Sequence, residues 1–211
     1  MSRRVVLIRH GETSWNAAGR WQGHDGPGLS ARGHAQAART AAAVSRLQPD
    51  VARLVVSDLQ RAEETAAPLH ERLGCPTVQD PRWREIDVGT WAGLTHREVA
   101  AQDPQGFAVW SEGEDVRRGG GETDADLHAR VGAALDELWQ GEGTVVVVTH
   151  GGPVRHATAH ALGLGPTGRH HLAHAANCGL TTLQRGRHGW RLAGYNDAAH
   201  LDVASDLPES G

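Results

Sequence analysis

Three runs of consecutive apolar residues stand out along the chain. They cover residues 5–8, 54–56 and 145–148, and they are rich in β-branched side chains. None of them alternates with polar residues, as a strand with one solvated face would. Each run therefore predicts a strand that is buried on both faces, at the centre of a mostly parallel sheet.

Helical patterns separate these runs. Segments rich in alanine, arginine and glutamate cover residues 31–47, 59–73 and 123–139, and a further helix is predicted over about residues 152–162. The alternation of strands and helices predicts an α/β fold, a three-layer sandwich with a mostly parallel central sheet flanked by helices. In such sheets, ligands bind beyond the carboxyl ends of the strands.

The other segments have simpler interpretations. Residues 177–184 and 190–195 predict a hairpin that turns near residues 186–189. The glycine-rich residues 117–121 are typical of a surface loop, and the polar tail over residues 204–211 is expected to be loose. With 211 residues, the chain fits one domain, residues 1–211, that can bury a core without disulfides or structural metals.

Composition restricts the partners. The formal net charge of -4 argues against a broad nucleic-acid surface, but it allows a small cationic pocket. The chain has no lysine, so anion recognition must depend on arginine, histidine and backbone donors. Two cysteines, Cys75 and Cys178, are too few for a disulfide framework. Without an apolar run long enough to span a bilayer, we expect a cytoplasmic protein with no membrane partner.

A phosphate-binding side chain follows each apolar run. Arg9 and His10 follow the first run, Arg61 follows the second after a few residues, and His150 follows the third. The guanidinium of Arg9 offers a planar fork of donors that matches phosphoryl oxygens. Gly11 lets the backbone approach a ligand, which leaves an imidazole nitrogen of His10 free to attack phosphorus. The sequence therefore predicts one phosphate pocket at the strand ends.

Four blocks of sequence resemble the histidine phosphatase superfamily, also called phosphoglycerate mutase-like. They are residues 7–16, 57–65, 84–91 and 149–152, they occur in the order of that family, and the resemblance extends from residue 5 to residue 195. The resemblance implies the phosphoglycerate mutase-like fold and two sets of site residues. The expected catalytic residues are Arg9, His10, Arg61, Glu85 and His150, and the expected substrate contacts are Asn16, Gln22, Gly23 and Gly151.

The resemblance also implies a mechanism without metal or cofactor. Neutral His10 displaces the alcohol to form a phosphohistidine while Glu85 donates a proton, and the ionised Glu85 then activates water. Asp87 is close to Glu85 in sequence, so the residues alone do not decide which carboxyl faces the pocket. His156 and His160 are spaced as metal ligands on a helix can be, but no HExxH pattern accompanies them. We interpret both as packed or solvated side chains.

The expected activity is phosphomonoester hydrolysis of a small phosphorylated metabolite. Mutases of this family carry a larger insertion between the positions that Glu85 and His150 match, and that insertion caps the pocket. The shorter segment here resembles the phosphatases and favours hydrolysis. Residues 91–96, 110–112 and 190–192 resemble the glucosyl-3-phosphoglycerate phosphatase subfamily. An α-ribazole phosphate phosphatase, a broad-specificity phosphatase, a mutase-type phosphotransferase and a catalytically silent phospho-ligand binder stay open as alternatives. A homodimeric state also stays open, and so does the role of Asn177. Arg117 and Arg118 either bind a substrate carboxylate or are solvated.

Overall fold

A central sheet of six strands organises the protein in the computed structural model, which describes residues 3–48 and 50–201. The strands are β1 (Arg4–Arg9), β2 (Val51–Val56), β3 (Thr77–Gln79), β4 (Thr144–Thr149), β5 (Leu180–Gly186) and β6 (Gly189–Asp197). Their order across the sheet is β3-β2-β4-β1-β5-β6. The three predicted apolar runs thus form three neighbouring strands, β2, β4 and β1.

The register of the sheet brings the three strand ends together. β1 and β2 both pair in parallel with β4, so that Ile8 and Val56 flank Val148. All six residues of β4 are buried, as expected of a central strand. β5 and β6 form the predicted hairpin, in which β5 pairs antiparallel with β1. The prediction of a mostly parallel sheet is confirmed.

Seven α-helices connect the strands. They are α1 (Ser14–Ala17), α2 (Ala31–Leu47), α3 (Gln60–Leu73), α4 (His96–Gln102), α5 (Pro104–Ser111), α6 (Asp124–Glu137) and α7 (Gly151–Ala161) within the described residues. Local capping explains several boundaries. Ser30 accepts a hydrogen bond from the Gly33 amide at the start of α2, and Thr123 and Asp126 form a capping box at the start of α6. The four predicted helices are α2, α3, α6 and α7, whereas α1, α4 and α5 were not predicted.

Helices pack on both faces of the sheet. Val6 and Ile8 of β1 point into a core shared with α2 and α3, whereas Val5 and Leu7 point into a core shared with α6 and α7. This division follows from the alternation of side chains along a strand. The second core also contains the buried indoles of Trp83 and Trp91. The predicted three-layer arrangement is confirmed.

Two predictions about loops have different outcomes. Residues 117–121 do not form a simple surface loop, because Arg118 is only 5% exposed, although its neighbour Arg117 is exposed. The predicted surface loop is wrong at Arg118, because the buried carboxylate of Asp124 holds this guanidinium inside the protein. The tail at residues 204–211 lies outside the described residues. No helix in the described ranges is both long and apolar enough to cross a membrane.

Candidate active site

The carboxyl ends of β1, β2 and β4 border a cleft of about 570 Å³. Eight of the nine residues predicted from the sequence line it: Arg9, His10, Asn16, Gln22, Gly23, Arg61, Glu85 and Gly151. The ninth, His150, is fully buried behind the cleft, and its ring centroid lies 5.1 Å from that of His10. All nine residues therefore meet at one place.

His10 has the protonation state that a nucleophile needs. It is 2% exposed, and its Nδ1 lies 2.7 Å from the carbonyl oxygen of Gly11. A carbonyl only accepts, so Nδ1 carries the proton and Nε2 keeps a free lone pair. Burial, together with the charges of Arg9 and Arg61, holds the pKa of His10 well below 6.5. The imidazole is therefore neutral at neutral pH.

The loop that carries His10 is fixed on two sides. The Gly11 amide donates to Thr65 Oγ1 at 2.9 Å, and Asn177 Nδ2 donates to the His10 carbonyl at 3.0 Å. Gly11 also lies directly against α2, because a Cβ on Gly11 would be 2.6 Å from the Gly33 carbonyl oxygen. A Cβ on Gly33 would in turn collide with the Glu12 carbonyl. Only glycine fits at this contact between two backbones.

Arg9 and Arg61 are held by backbone carbonyls rather than by ion pairs within the described residues. Arg9 Nη1 donates to the Ala175 carbonyl at 2.7 Å, and Arg61 donates to the carbonyls of Gly23 and Asp25 at 2.6 and 2.8 Å. Neither forms an ion pair with any residue that the structure describes, and both Nε atoms are buried without a partner. Burial lowers the pKa of Arg61 to about 10 and also lowers that of Arg9. We call Arg9, Arg61, His10, His150 and Glu85 the phosphoryl end of the cleft.

His150 is held by Ser57, a residue to which the sequence analysis gave no role. Ser57 Oγ lies 2.8 Å from His150 Nε2 and also accepts a bond from the Leu59 amide at 3.4 Å. We assign the hydroxyl proton to Nε2 and the imidazole proton to Nδ1, a tautomer that this 2.8 Å contact allows. Nδ1 is buried and has no partner among the described residues. Burial and the charge of Arg61 hold the pKa of His150 well below 6.5, so this histidine is a neutral donor.

Glu85, rather than Asp87, reaches the cleft. Its carboxylate accepts from the Ile86 amide at 2.9 Å and from the Gly152 amide at 3.2 Å, in the first turn of α7. The amino end of a helix attracts a carboxylate and so fixes its position. Asp87 instead accepts a bond from the Gly89 amide at 2.9 Å and does not line the cleft. Local hydrogen bonds therefore place the carboxylate of Glu85, and not that of Asp87, at the cleft.

The remaining predicted contacts border the phosphoryl end. Asn16 Oδ1 accepts from the Thr13 amide at 3.1 Å and from Asn177 Nδ2 at 3.3 Å. The side chain of Gln22 is 8% exposed, and its Oε1 is buried without a partner in the described structure. Gly23 has a φ of +57°, which glycine adopts without strain, and this turn directs its carbonyl to Arg61. A Cβ on Gly151 would lie 3.6 Å from Arg9 Nε.

A second group of charged residues lines the same cleft, and we call it the distal cluster: Arg118, Asp124, Arg155, His156 and Arg169. Asp124 accepts from Arg118 at 2.7 Å, from Arg169 at 2.6 Å and from His156 Nε2 at 3.1 Å. Burial opposes ionisation of Asp124, but His156 and the two arginines outweigh it and lower its pKa. Sequence reasoning considered only Arg118 for substrate binding. The spacing of Gly151 and Arg155, one turn apart on α7, was an available signal that both face the cleft.

Aromatic rings form another wall of the cleft. Trp21, His96 and Trp110 all line it, and the ring of Trp21 lies 5.2 Å from His96 and 5.0 Å from Trp110 between centroids. The edge-to-face geometry of Trp21 and Trp110 is a favourable one for aromatic pairs. His96 and Trp110 come from α4 and α5, two of the helices that were not predicted. This aromatic wall was therefore not predicted as a unit from the sequence.

The two histidines considered as metal ligands have carboxylate partners. His156 contacts Asp124, and His160 Nε2 lies 3.1 Å from the carboxylate of Asp136. Within residues 3–48 and 50–201, no group of three or more His, Cys, Asp or Glu side chains is placed to hold a metal ion. The positions agree with the interpretation of these histidines as packed side chains.

Comparisons with known proteins identify the class. The model of the histidine phosphatase superfamily (branch 1) matches residues 5–198, and the chain belongs to this family. The sequence-based assignment to the superfamily, with its phosphatase branch and fold, is thereby confirmed.

Similar proteins narrow the comparison. The chain is 39% identical over 171 residues to the glucosyl-3-phosphoglycerate phosphatase of Mycolicibacterium vanbaalenii, covering 77% of this chain and 75% of that protein. It is 34% identical to a metal-independent phosphoserine phosphatase of Arabidopsis thaliana, and the match covers 96% of this chain and 85% of that protein. A solved structure of a mycobacterial glucosyl-3-phosphoglycerate phosphatase with VO3 superposes with a TM-score of 0.84 at 34% identity, covering 93% and 100%.

Proposed function

We propose that this protein hydrolyses a phosphomonoester of a small metabolite through a phosphohistidine on His10. One observation carries the proposal: a neutral imidazole with a free Nε2 stands beside two buried arginines that form no ion pair with the described residues. Such a site attracts an anion and directs a nucleophile at it. A pocket built only for binding has no need to keep Nε2 unprotonated.

In the first step, His10 Nε2 attacks phosphorus and the bond from phosphorus to the alcohol oxygen breaks. Arg9 and Arg61 hold the phosphoryl oxygens with charge-assisted hydrogen bonds, worth roughly 1.5–3 kcal/mol each. The Nδ1 proton of His150 adds a donor for the charge that develops on phosphorus. Because an alkoxide is a poor leaving group, Glu85 in its protonated form gives the departing oxygen a proton.

In the second step, water attacks the phosphohistidine. Glu85 is now a carboxylate and accepts a proton from this water, while the bond between phosphorus and Nε2 breaks. The products are inorganic phosphate and neutral His10, so the enzyme returns to its starting state. The two amides that fix the Glu85 carboxylate keep it beside the cleft for both steps.

We propose glucosyl-3-phosphoglycerate as the preferred substrate. The similarity to phosphatases of that name supports it, as does the aromatic wall. The apolar face of a hexose packs well on aromatic rings, and Trp21, His96 and Trp110 offer such a surface next to the phosphoryl end. Phosphoserine is a second candidate, because the chain is also similar to a phosphoserine phosphatase over most of its length.

The test of the proposed mechanism follows the phosphoryl group from the substrate to His10 and then to inorganic phosphate. Purified protein is mixed with p-nitrophenyl phosphate and with each candidate metabolite, quenched within milliseconds in alkali, and examined for an acid-labile phosphohistidine on His10 by mass spectrometry. We expect the adduct and the release of inorganic phosphate with both kinds of substrate. Hydrolysis without an adduct on His10 contradicts the mechanism.

The alternatives leave different products. A mutase interconverts 3- and 2-phosphoglycerate with no net release of phosphate, which ³¹P NMR distinguishes from hydrolysis. A silent binder shows binding of phosphate or substrate and no turnover of any ester. Either result refutes the proposed hydrolysis.

A further inference from the structure

The distal cluster has more positive charge than its partners within the protein require. Its three arginines face one carboxylate, Asp124, and the Nε atoms of all three are buried without a partner among the described residues. Unpaired buried donors are costly, and native proteins usually satisfy them with a ligand or with water. This excess of positive charge makes the cluster a candidate site for an anion.

Arg155 is the member with least compensation. Its Nη2 donates to the carbonyl of Arg169 at 2.6 Å, and it forms no ion pair with the residues that the structure describes. Burial and the neighbouring charge of Arg169 lower the pKa of Arg155. It projects from α7 one turn after Gly151, which borders Arg9, and so its guanidinium faces the same cleft as the phosphoryl end.

The two charged regions are close enough to act on one molecule. His174 and Ala175 both line the cleft, and the Ala175 carbonyl accepts a hydrogen bond from Arg9 at 2.7 Å. Burial lowers the pKa of His174, and the charges of Arg155, Arg9 and Arg169 lower it further. Glu85 is likewise near enough to influence Arg9, Arg61 and Arg155. A cleft of about 570 Å³ accommodates a single metabolite that reaches both.

We propose that the distal cluster binds a carboxylate carried by the same substrate, with Arg155 as its main ligand and Arg118 and Arg169 as flanking donors. This inference rests on the proposed phosphatase function and assigns specificity residues to it. A carboxylate fits better than a second phosphoryl group, because Asp124 already neutralises part of the cluster and its own carboxylate is bound there by Arg118 and Arg169. Asp124 then has a positioning role, since it orients Arg118 and Arg169.

The test uses two substrates that differ in one group. 3-Phosphoglycerate carries a carboxylate where glycerol 3-phosphate carries a hydroxymethyl group, and both present the same primary phosphate ester. For the unaltered protein we expect kcat/KM to favour 3-phosphoglycerate by about 10- to 100-fold, the effect of one or two charged hydrogen bonds. The Arg155→Gln variant is expected to reduce that preference at least fivefold, mainly through KM for 3-phosphoglycerate.

Two further variants make the result specific. Arg117→Gln is the matched control, because Arg117 is exposed and pairs with Asp126 on the surface, so the preference should stay unchanged. Arg155→Lys keeps the charge without the planar fork and should give an intermediate preference, which also serves if Arg155→Gln does not fold. Arg118 is a poorer target, because its loss leaves Asp124 buried with one partner fewer.

The outcomes separate the two claims. Equal kcat/KM for both substrates in the unaltered protein, or a preference that survives both Arg155 substitutions, overturns the carboxylate site. If p-nitrophenyl phosphate is still hydrolysed in that case, the proposed phosphatase function stands. If the folded protein hydrolyses neither 3-phosphoglycerate, glycerol 3-phosphate nor p-nitrophenyl phosphate, the proposed phosphatase function is wrong. The carboxylate site is then wrong with it, because it rests on that function.

Discussion

The two arginine groups of the cleft differ in what surrounds their charge. At the phosphoryl end, Arg9 and Arg61 donate to backbone carbonyls and form no ion pair within the described residues. In the distal cluster, Arg118 and Arg169 are oriented by the carboxylate of Asp124, whereas Arg155 is held by a carbonyl. A carbonyl fixes a guanidinium without cancelling its charge, whereas a carboxylate does both.

This difference matches the anion that each region is proposed to receive. A phosphoryl group carries up to two negative charges and gains charge-assisted hydrogen bonds from two arginines that keep their full charge. A carboxylate carries one negative charge, and a partly neutralised cluster is sufficient to position it. The comparison therefore predicts that chemistry depends on the phosphoryl end and that selectivity depends on the distal cluster.

The largest expected effect tests where the chemistry occurs. The substitution His10→Ala removes Nε2 and should lower hydrolysis of p-nitrophenyl phosphate by roughly 10⁴-fold or more, as loss of a nucleophile typically does. His188→Ala, at an exposed histidine in the hairpin turn, is the matched control and should retain full activity. Initial rates of p-nitrophenol release measure both. Substantial activity in folded His10→Ala protein would falsify the assignment of the phosphoryl end.

A smaller effect is expected for the proton donor. Glu85→Gln should slow an alkyl phosphate by roughly 10²–10³-fold and p-nitrophenyl phosphate much less, because nitrophenolate leaves without protonation. Asp87→Asn tests the neighbouring carboxyl, which caps the Gly89 amide outside the cleft, and should slow neither substrate. Measuring kcat for both substrates with each variant gives the comparison. Equal slowing of the alkyl and aryl esters by Glu85→Gln means that another group is the acid.

Ser57→Ala should have an effect of about tenfold. Loss of the hydroxyl removes the hydrogen-bond partner of His150 Nε2, and one net hydrogen bond of ~1.4 kcal/mol corresponds to a factor of ten. The loss should appear in kcat with little change in KM, since His150 is proposed to act on charge that develops during the reaction. Ser57→Thr keeps the hydroxyl and should recover part of the rate. No difference between the alanine and threonine variants would show that the hydroxyl does not position His150.

The smallest expected effect is an absence of titration. Between pH 7.5 and 5.5, His10 and His150 should stay neutral in the folded protein, because burial and the charges of Arg9 and Arg61 depress their pKa. Carbon-13 NMR of histidine-labelled protein measures this, with the His10 signal identified by its loss in His10→Ala. A signal that titrates near pH 6.5 contradicts the proposed electrostatics of the phosphoryl end.

The same shifts make stability depend on pH with a definite sign. Histidines of the unfolded chain protonate near pH 6.5, whereas His10 and His150 in the folded protein resist protonation until a lower pH. Below pH 6.5 the unfolded state therefore binds more protons, and the free energy of unfolding falls as pH falls. Each histidine contributes up to about 1.4 kcal/mol per pH unit until its folded form protonates. Urea unfolding at pH 7.5 and 5.5 checks the direction.

The sequence predicted the parts of the fold that local patterns specify. Helix α2 has the bounds predicted from its composition, and the central strands follow the apolar runs. Arg9, His10, Arg61 and His150 were predicted from strand ends, whose meeting point is a property of any parallel sheet. The other predicted site residues, Glu85 among them, were expected only from the family resemblance. Helices α4 and α5 were missed because they are short, with seven and eight residues, and each offers few apolar positions to form a pattern.

Apart from the helical spacing of Gly151 and Arg155, the distal cluster had no signal in the sequence, for a different reason. Arg118, Asp124, Arg155 and Arg169 come from a 3₁₀ turn, α6, α7 and a second 3₁₀ turn, so their contact depends on tertiary packing. An arginine buried by such packing has no local signature that distinguishes it from a solvated one. Arg117 and Arg118 show this directly, because the two neighbours have the same side chain and opposite environments.

The backbone contact between Gly11 and Gly33 has a consequence for natural and engineered variation. Gly33 lies in the first turn of α2 and has no side-chain functional group, so it would not be chosen as a catalytic or binding residue. A methyl group on Gly33 would nevertheless collide with the Glu12 carbonyl. The displaced loop would carry the attacking nitrogen of His10 out of alignment. A library that randomises α2 should therefore lose every replacement at this one position under selection for turnover, even though the helix itself tolerates alanine.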